Sequence, residues 1–285
     1  MARISELLAA KQTMSFEFFP PKSSNAQMNL GKAVGELEAL APDFVSITYG
    51  AGGSDRHRTG EVVHWMRAAT DFVPMAHLTC VGHTRTEVAE ILVDHRRNGV
   101  ENILALGGDL PANGVAPKSD YQYALDLLND VAATDCFSVG VAAHPEVHPR
   151  SASRAADRQH LADKLRVADF AMTQFFFDIE HYLRLRDEMA EMGIDKPIVP
   201  GIMPVTNVGQ VTRMAELSGA KVPRWLVSRL EMCTTPGQVR RVGIECASQL
   251  CRDLLDADAP GLHLYTLNNA ATAKEIVVNL DLATA

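Results

Sequence analysis

The stretch Met14-Ser-Phe-Glu-Phe-Phe-Pro-Pro21 decides the fold. Phe16 and Phe18 alternate with Glu17, and that period of two reads as a strand. In an open, doubly wound sheet the first strand runs into a glycine-rich turn that receives a dinucleotide phosphate. Here it runs into Phe19-Pro20-Pro21, and neither G-x-G-x-x-G nor G-x-x-x-x-G-K-[ST] occurs anywhere in the chain. Seven further short apolar runs follow, at 44–48, 75–79, 102–106, 138–143, 171–176, 197–202 and 262–267. Several are apolar almost throughout, as parallel strands buried on both faces are. Helical patterns lie between them, among them 61–70, 86–98, 121–133, 180–192 and 207–218. Eight strands alternating with helices predict one α/β domain over residues 1–285, a (βα)8 barrel. The long interval between the seventh and eighth strands, with Pro223 and Pro236, predicts extra helices there.

Composition narrows the class. The chain has 285 residues, 47% of them hydrophobic and 22% charged, as an ordinary globular protein has. Lys and Arg number 27 against 35 Asp and Glu, a formal charge of −8. That balance argues against nucleic acid as a partner, because a polyanion needs a basic face. No run approaches the roughly 18 apolar residues of a membrane span, and residues 1–11 do not read as a leader peptide. The five cysteines (Cys80, Cys136, Cys233, Cys246, Cys251) form no C-x-x-C pair, so free thiols in a reducing cytoplasm are expected and no zinc site. His77, Cys80 and His83 are spaced to point in different directions from a strand, which argues against a metal set.

A barrel places its active site at the C-terminal ends of the strands. Polar residues there are Glu17, Thr48, His77, Asp109, His144, Gln174, Asn268 and Asn269. Glu17 reads either as a barrel carboxylate paired with a Lys or Arg, or as a carboxyl in low dielectric able to donate a proton near neutrality. Asp109 follows Gly107-Gly108, which leaves the backbone open to a ligand or simply makes a turn. Gln174 sits among aromatics, and its amide bonds either a ligand or the barrel backbone. His144 and His148 lie on a proline-stiffened loop, as surface groups or ligand contacts. Arg150, Arg154 and Arg158 are spaced by four, one face of a helix, either solvated or turned to phosphates.

Taken together, the motifs resemble the methylenetetrahydrofolate reductase family at the scale of its bacterial single-domain members. They are Ser15-Phe-Glu-Phe-Phe-Pro-Pro21, Val45-Ser-Ile-Thr-Tyr-Gly-Ala-Gly-Gly53, His77-Leu-Thr-Cys80, Gly108-Asp-Leu-Pro111, Pro145-Glu-Val-His-Pro149, Thr173-Gln-Phe-Phe-Phe-Asp178, Pro200-Gly-Ile-Met-Pro204 and Tyr265-Thr-Leu-Asn268, in that order. The resemblance implies a barrel that reduces 5,10-methylenetetrahydrofolate to 5-methyltetrahydrofolate with NADH or NADPH. It implies that Glu17 is the general acid that opens the imidazolidine ring. Asp109 matches the carboxylate that steadies the resulting iminium. Gln174 and Gln210 match folate contacts, and Asn269 follows the last motif where the family has an Arg. Thr48, Tyr49, His77, His144, His148 and Lys164 fall on positions that hold the family's cofactor.

The family carries FAD, and the match departs at the flavin positions. Gly107 stands where the family has Arg, His144 where it has Tyr, and Ala162-Asp163-Lys164 where it has a Lys-x-Lys pair. Each lost charge-assisted contact is worth about 1.5–3 kcal/mol. The departures imply direct hydride transfer from nicotinamide without flavin. The alternative is that Arg150, Arg154, Arg158 and Lys164 replace the lost contacts and FAD stays. A reading of another class is a silent folate-binding paralogue, against which the retained Glu17, Asp109 and Gln174 argue.

Overall fold

The computed structural model describes residues 2–49, 56–109 and 118–281. Alternation in the first strand, β1 (Thr13–Phe18), sends Phe16 and Phe18 outward to the helices and Ser15 and Glu17 inward. The other strands are β2 (Phe44–Ile47), β3 (Pro74–Thr79), β4 (Asn102–Leu106), β5 (Ser138–Ala143), β6 (Phe170–Thr173), β7 (Ile198–Val199), β8 (Gly201–Ile202) and β9 (Gly261–Tyr265). Eleven helices are described: α1 (Ile4–Ala10), α2 (Ser24–Glu38), α3 (Arg56–Ala69), α4 (Arg85–Arg97), α5 (Ala124–Ala132), α6 (Arg154–Leu165), α7 (Ile179–Glu191), α8 (Val208–Ser218), α9 (Arg224–Glu231), α10 (Pro236–Asp256) and α11 (Ala270–Asn279). Every strand pairing is parallel, in the order β7-β6-β5-β4-β3-β2-β1-β9-β8. The fold is the expected (βα)8 barrel, with three helices, α8 to α10, in the long interval before the last strand. Among the described residues no helix is long and apolar enough to cross a membrane.

The run 197–202, expected as one strand, is two. Proline lacks the N–H that a central strand donates, so the ladder breaks at Pro200. Before it, Ile198 and Val199 pair with β6; after it, Gly201 and Ile202 pair with β9. Pro200 therefore joins the two ends of the sheet and closes the barrel by chain continuity. The seam is bridged by Tyr265, whose hydroxyl donates to the Thr173 carbonyl at 3.0 Å. The Gly201 N–H donates to Thr173 Oγ1 at 2.8 Å. A Cβ on Gly201 would lie 2.4 Å from the Thr173 carbonyl oxygen and 2.8 Å from the Tyr265 ring.

The opposite, N-terminal end is filled by α1, which nothing in the short apolar groups of residues 3–11 announces. Ile4 and Leu8 pack with Phe44, Met75, Leu104, Phe170, Met172 and Val199, the lowest inward layer of the barrel. The first turn of α1 finds partners inside that end: Ile4 N–H donates to Asn102 Oδ1 at 2.8 Å and Ser5 N–H to Ser138 Oγ at 3.1 Å. Those side chains satisfy backbone donors that a helix start leaves without partners. Such a seven-residue helix is stable only through contacts of this kind.

Gly201→Ala is expected to destabilise the protein by about 3 kcal/mol, the upper range for overpacking, because backbone rather than a flexible side chain is in the way. Urea unfolding measures it; a loss under about 0.5 kcal/mol, the scale of a neutral surface change, would show that the seam is not rigid.

Candidate active site

Above the apolar layer, the inward positions turn polar. They are Ser15 and Glu17 on β1, Ser46 on β2, His77 on β3 and His263 on β9, all buried. Phe44 of the layer below stacks on His263, ring centroids 6.2 Å apart. Glu17 Oε2 lies 3.7 Å from His77 Nε2 and 3.6 Å from His263 Nε2. The Ser46 hydroxyl lies 3.5 Å from that oxygen and 3.2 Å from His263 Nε2. Of the two readings of Glu17, pairing with a Lys or Arg is not what is seen: its ion-pair contacts among the described residues are these two imidazoles.

Burial drives the electrostatics. It pushes the Glu17 carboxyl up to about 7, with His77 and Ser46 opposing. It pushes His77 down to about 4, with Glu17 opposing, and His263 down to about 3. Near neutral pH both imidazoles are uncharged, and Glu17 carries a proton for a large part of the time. A buried acid of that kind is the group a general acid requires.

The end of β1 is strapped in place by the segment after β9. Thr266 Oγ1 donates to the Glu17 carbonyl at 2.6 Å. Asn268 clamps the next residue twice: Phe19 N–H donates to its Oδ1, and its Nδ2 donates to the Phe19 carbonyl, both at 2.8 Å. Leu267 and Asn268 both take left-handed backbone, φ 51° and 57°, so β9 ends at Tyr265 and not at 267 as its apolar run implied. The motif Tyr265-Thr-Leu-Asn268 therefore holds Glu17 in position.

The remaining expected residues lie around the rim. Thr48 follows β2, and its N–H donates to the Phe18 carbonyl. Tyr49 bonds His83 Nε2 through its hydroxyl at 2.9 Å. Asp109 is exposed beyond β4, after Gly108 with φ 81°. His144 and His148 pack edge to face, 4.5 Å between centroids. Burial, with His148 and Lys164 adding to it, pushes His144 down to about 3. His148 is also lowered, by burial and Arg150, while Asp157 and then Asp109 act to raise it. Gln174 follows β6, and its Oε1 accepts the Phe175 N–H at 3.0 Å. Lys164 reaches in from α6 and donates to the Ala142 carbonyl at 2.6 Å, and burial pushes it down to about 8. Gln210 is exposed in the first turn of α8. Asn269 caps α11, accepting the Ala271 N–H. The motif residues 50–55 and 110–117 lie outside the described residues.

The expected arginine stripe is divided. Ser153 caps α6, so Arg150 precedes the helix and only Arg154 and Arg158 share it. Those two do not face solvent as a basic stripe. Arg154 forks onto Glu188, at 2.7 and 3.0 Å, and donates to the Glu146 carbonyl. Arg158 is buried, donating to Asp157 and Glu188 at 2.6 Å each and to the carbonyls of His144 and Pro145. Together they fix the 144–146 loop. Arg150 stands apart, its Nη2 3.8 Å from where a Cβ on Gly107 would be.

Sequence reading missed Ser15, Ser46 and His263. Their signal was present: each is a polar residue at an inward position of an apolar strand, Ser46 between Val45 and Ile47, His263 between Leu262 and Leu264. It becomes visible only once the inward face is known.

A parallel α/β barrel with a carboxyl, two imidazoles and two hydroxyls buried below its C-terminal mouth has the layout of a barrel enzyme. The chain belongs to the methylenetetrahydrofolate reductase family, an oxidoreductase family whose model matches residues 3–281. It is 38% identical over 265 residues to the 5,10-methylenetetrahydrofolate reductase of Pectobacterium carotovorum, covering 92% of this chain and 88% of that one. It is 39% identical over 259 residues to that of Salmonella typhimurium, covering 90% and 86%. Methylenetetrahydrofolate reductase (NADH) 1 of Arabidopsis thaliana is 36% identical over 284 residues, 94% of this chain and 48% of that longer protein. Among solved structures, a Clostridium thermocellum protein described as binding two copies of 5-methyl-5,6,7,8-tetrahydrofolic acid superposes with a TM-score of 0.73, covering 98% of each chain, at 13% identity. That likeness shows the fold.

The raised Glu17 carboxyl makes a stability prediction. In the unfolded chain it titrates near 4.5 and in the folded protein near 7. Below 4.5 it is protonated in both states and costs nothing; above 7 it is ionised in both, and the folded state bears the penalty. Relative to Glu17→Gln, the wild type should therefore lose about 3 kcal/mol as pH rises through that window. Urea midpoints of the two proteins across the range check it, and a constant difference between them contradicts it.

Proposed function

We propose that this chain reduces 5,10-methylenetetrahydrofolate to 5-methyltetrahydrofolate, taking hydride directly from NADH or NADPH, with Glu17 as the acid. The observation that carries the reading is a buried carboxyl with neutral imidazoles and no cation as its ion-pair contacts. Turning the methylene bridge into an N5-methyl group breaks the bond between the bridging carbon and N10 and forms one C–H bond. N10 collects a proton as it leaves, and Glu17 is placed to give it. The iminium carbon left on N5 accepts hydride from the nicotinamide, and water returns the proton to Glu17. Asp109, an exposed carboxylate at the mouth, stabilises the iminium charge. A same-fold protein that binds a methyltetrahydrofolate, and a plant relative whose name specifies NADH, support folate and NADH as the two substrates.

The residues present do not fit a flavin dinucleotide. Two cations that the family resemblance sets against the flavin pyrophosphate are absent, at Gly107 and Ala162. Position 107 is Gly, Arg154 and Arg158 are bound to Glu188 and to loop carbonyls, and Lys164 is bound to the Ala142 carbonyl. Arg150, exposed beside Gly107 and in a long 3.5 Å contact with the Gly108 carbonyl, is placed at the rim to meet a nucleotide phosphate. A nicotinamide is itself a two-electron donor, so the chemistry is complete without a flavin.

Glu17→Gln should lower kcat by about a hundredfold or more, with folate affinity little changed. Near-normal turnover in that variant would remove Glu17 from the mechanism. Asp109→Asn should also lower kcat, by about a hundredfold, with a smaller loss of folate binding; an effect confined to the KM for the nicotinamide nucleotide would place Asp109 in the other subsite. The purified protein should be colourless and its steady-state kinetics sequential. A yellow protein with ping-pong kinetics would return the flavin to the mechanism.

A further inference from the structure

His263 is fully buried beneath Glu17, and its two ring nitrogens face different partners. On one side Ser15 Oγ lies 2.8 Å from Nδ1 and donates its own proton to the Leu262 carbonyl at 3.0 Å. A carbonyl only accepts, and a hydroxyl has one proton to give. With that proton on the Leu262 bond, Ser15 accepts from Nδ1, and the ring proton is assigned to Nδ1. Burial holds the imidazole uncharged. Nε2 is then a bare lone pair, and it faces the Ser46 hydroxyl at 3.2 Å. Ser46 in turn lies 3.5 Å from Glu17 Oε2, to which its hydroxyl can also donate, a long contact against the 3.2 Å one to Nε2.

A hydroxyl between a lone pair and a carboxyl group has two orientations. Donating to Glu17 favours the carboxylate; donating to His263 leaves an oxygen lone pair for the carboxylic acid. We propose that His263 is a positioning residue for the acid: fixed in the Nδ1–H tautomer by Ser15, it draws the Ser46 proton to its Nε2 and so makes Glu17 face an acceptor that keeps the carboxyl protonated. The bonds run one way, from Glu17 to Ser46 to His263 to Ser15 to the Leu262 carbonyl, and the last acceptor sets the direction of all of them.

The other groups facing Glu17 do not compete for this role. His77, on β3, is uncharged, and its Nε2 has no hydrogen-bond partner among the described residues. Tyr265, on β9, donates its hydroxyl to the Thr173 carbonyl across the seam. No lysine or arginine among the described residues pairs with Glu17.

The inference rests on the role of Glu17 proposed above, but its test needs no folate and no turnover. The protonated carboxyl of Glu17 is titrated in ligand-free protein by infrared difference spectroscopy, with Glu17→Gln identifying the band. Ser15→Ala removes one oxygen, releases Nδ1 and lets the ring proton move to Nε2, reversing the direction; Glu17 should hold its proton about tenfold less tightly. His263→Leu removes the acceptor and leaves Ser46 to donate to the carboxylate, with the same result. Adding Ser46→Ala to either variant removes the donor and should restore the wild-type midpoint or exceed it, a rescue that general loosening of the barrel would not produce. If Ser15→Ala leaves the midpoint unchanged or raises it, Ser46 already donates to Glu17 in the wild type and the proposal fails. If the midpoints shift as expected while Glu17→Gln turns over normally, the hydrogen-bond chain stands and the assignment of the acid falls.

Discussion

Everything in this protein follows from strands that are buried on both faces and whose side chains alternate. One face of each strand must satisfy the helices outside, and the other must fill a closed interior. The outward face is uniformly apolar, as in Phe16, Phe18, Val45 and Ile47. The inward face changes character along the barrel axis, from Phe44, Met75 and Phe170 below to Ser46, His77 and Glu17 above. Both layers are buried, so a polar group in the upper one must either find partners or stay uncharged. His263 does both, whereas His77 stays uncharged with no hydrogen-bond partner for its Nε2 among the described residues, and Glu17 is pushed up to about 7.

That constraint explains which parts of the fold were legible in the sequence. The strands were, because doubly buried strands are apolar runs: seven of the eight expected runs form one strand each, and 197–202 forms two. The break at Pro200 was legible in principle, since proline cannot serve a central ladder, but hydropathy alone hides it. Helix α1 was not, because its stability comes from Asn102 and Ser138, about a hundred residues away in sequence. The stripe of arginines was misjudged for a similar reason. Spacing by four assigns a face and says nothing about Glu188 on the neighbouring helix α7, which takes up two of the three.

The site was legible in part. Glu17 and His77 come together as neighbours in one layer, and the rim positions Thr48, Tyr49, Asp109, His144 and Gln174 lie at strand ends. Asn268 and Asn269 both have backbone partners: one clamps Phe19, the other caps α11. A polar residue at a strand end has the same appearance in sequence whether it meets a ligand or the backbone. Ser15, Ser46 and His263 escaped notice because single polar residues inside apolar strands look like tolerated exceptions. Their common facing appears only in the register that pairs Ser15 with His263 and Glu17 with Ser46.

Helix α1 has a consequence for timing. With Ile4 and Leu8 seated in the apolar layer beneath Glu17, the barrel is a vessel with one opening. In the proposed reaction, the folate and the proton that Glu17 recovers would arrive through the same mouth. A pterin ring over the carboxyl would stand between it and bulk water, and the acid would be reset once the product departs. On that reading the architecture would set the order of the proposed cycle, with release first and reprotonation second.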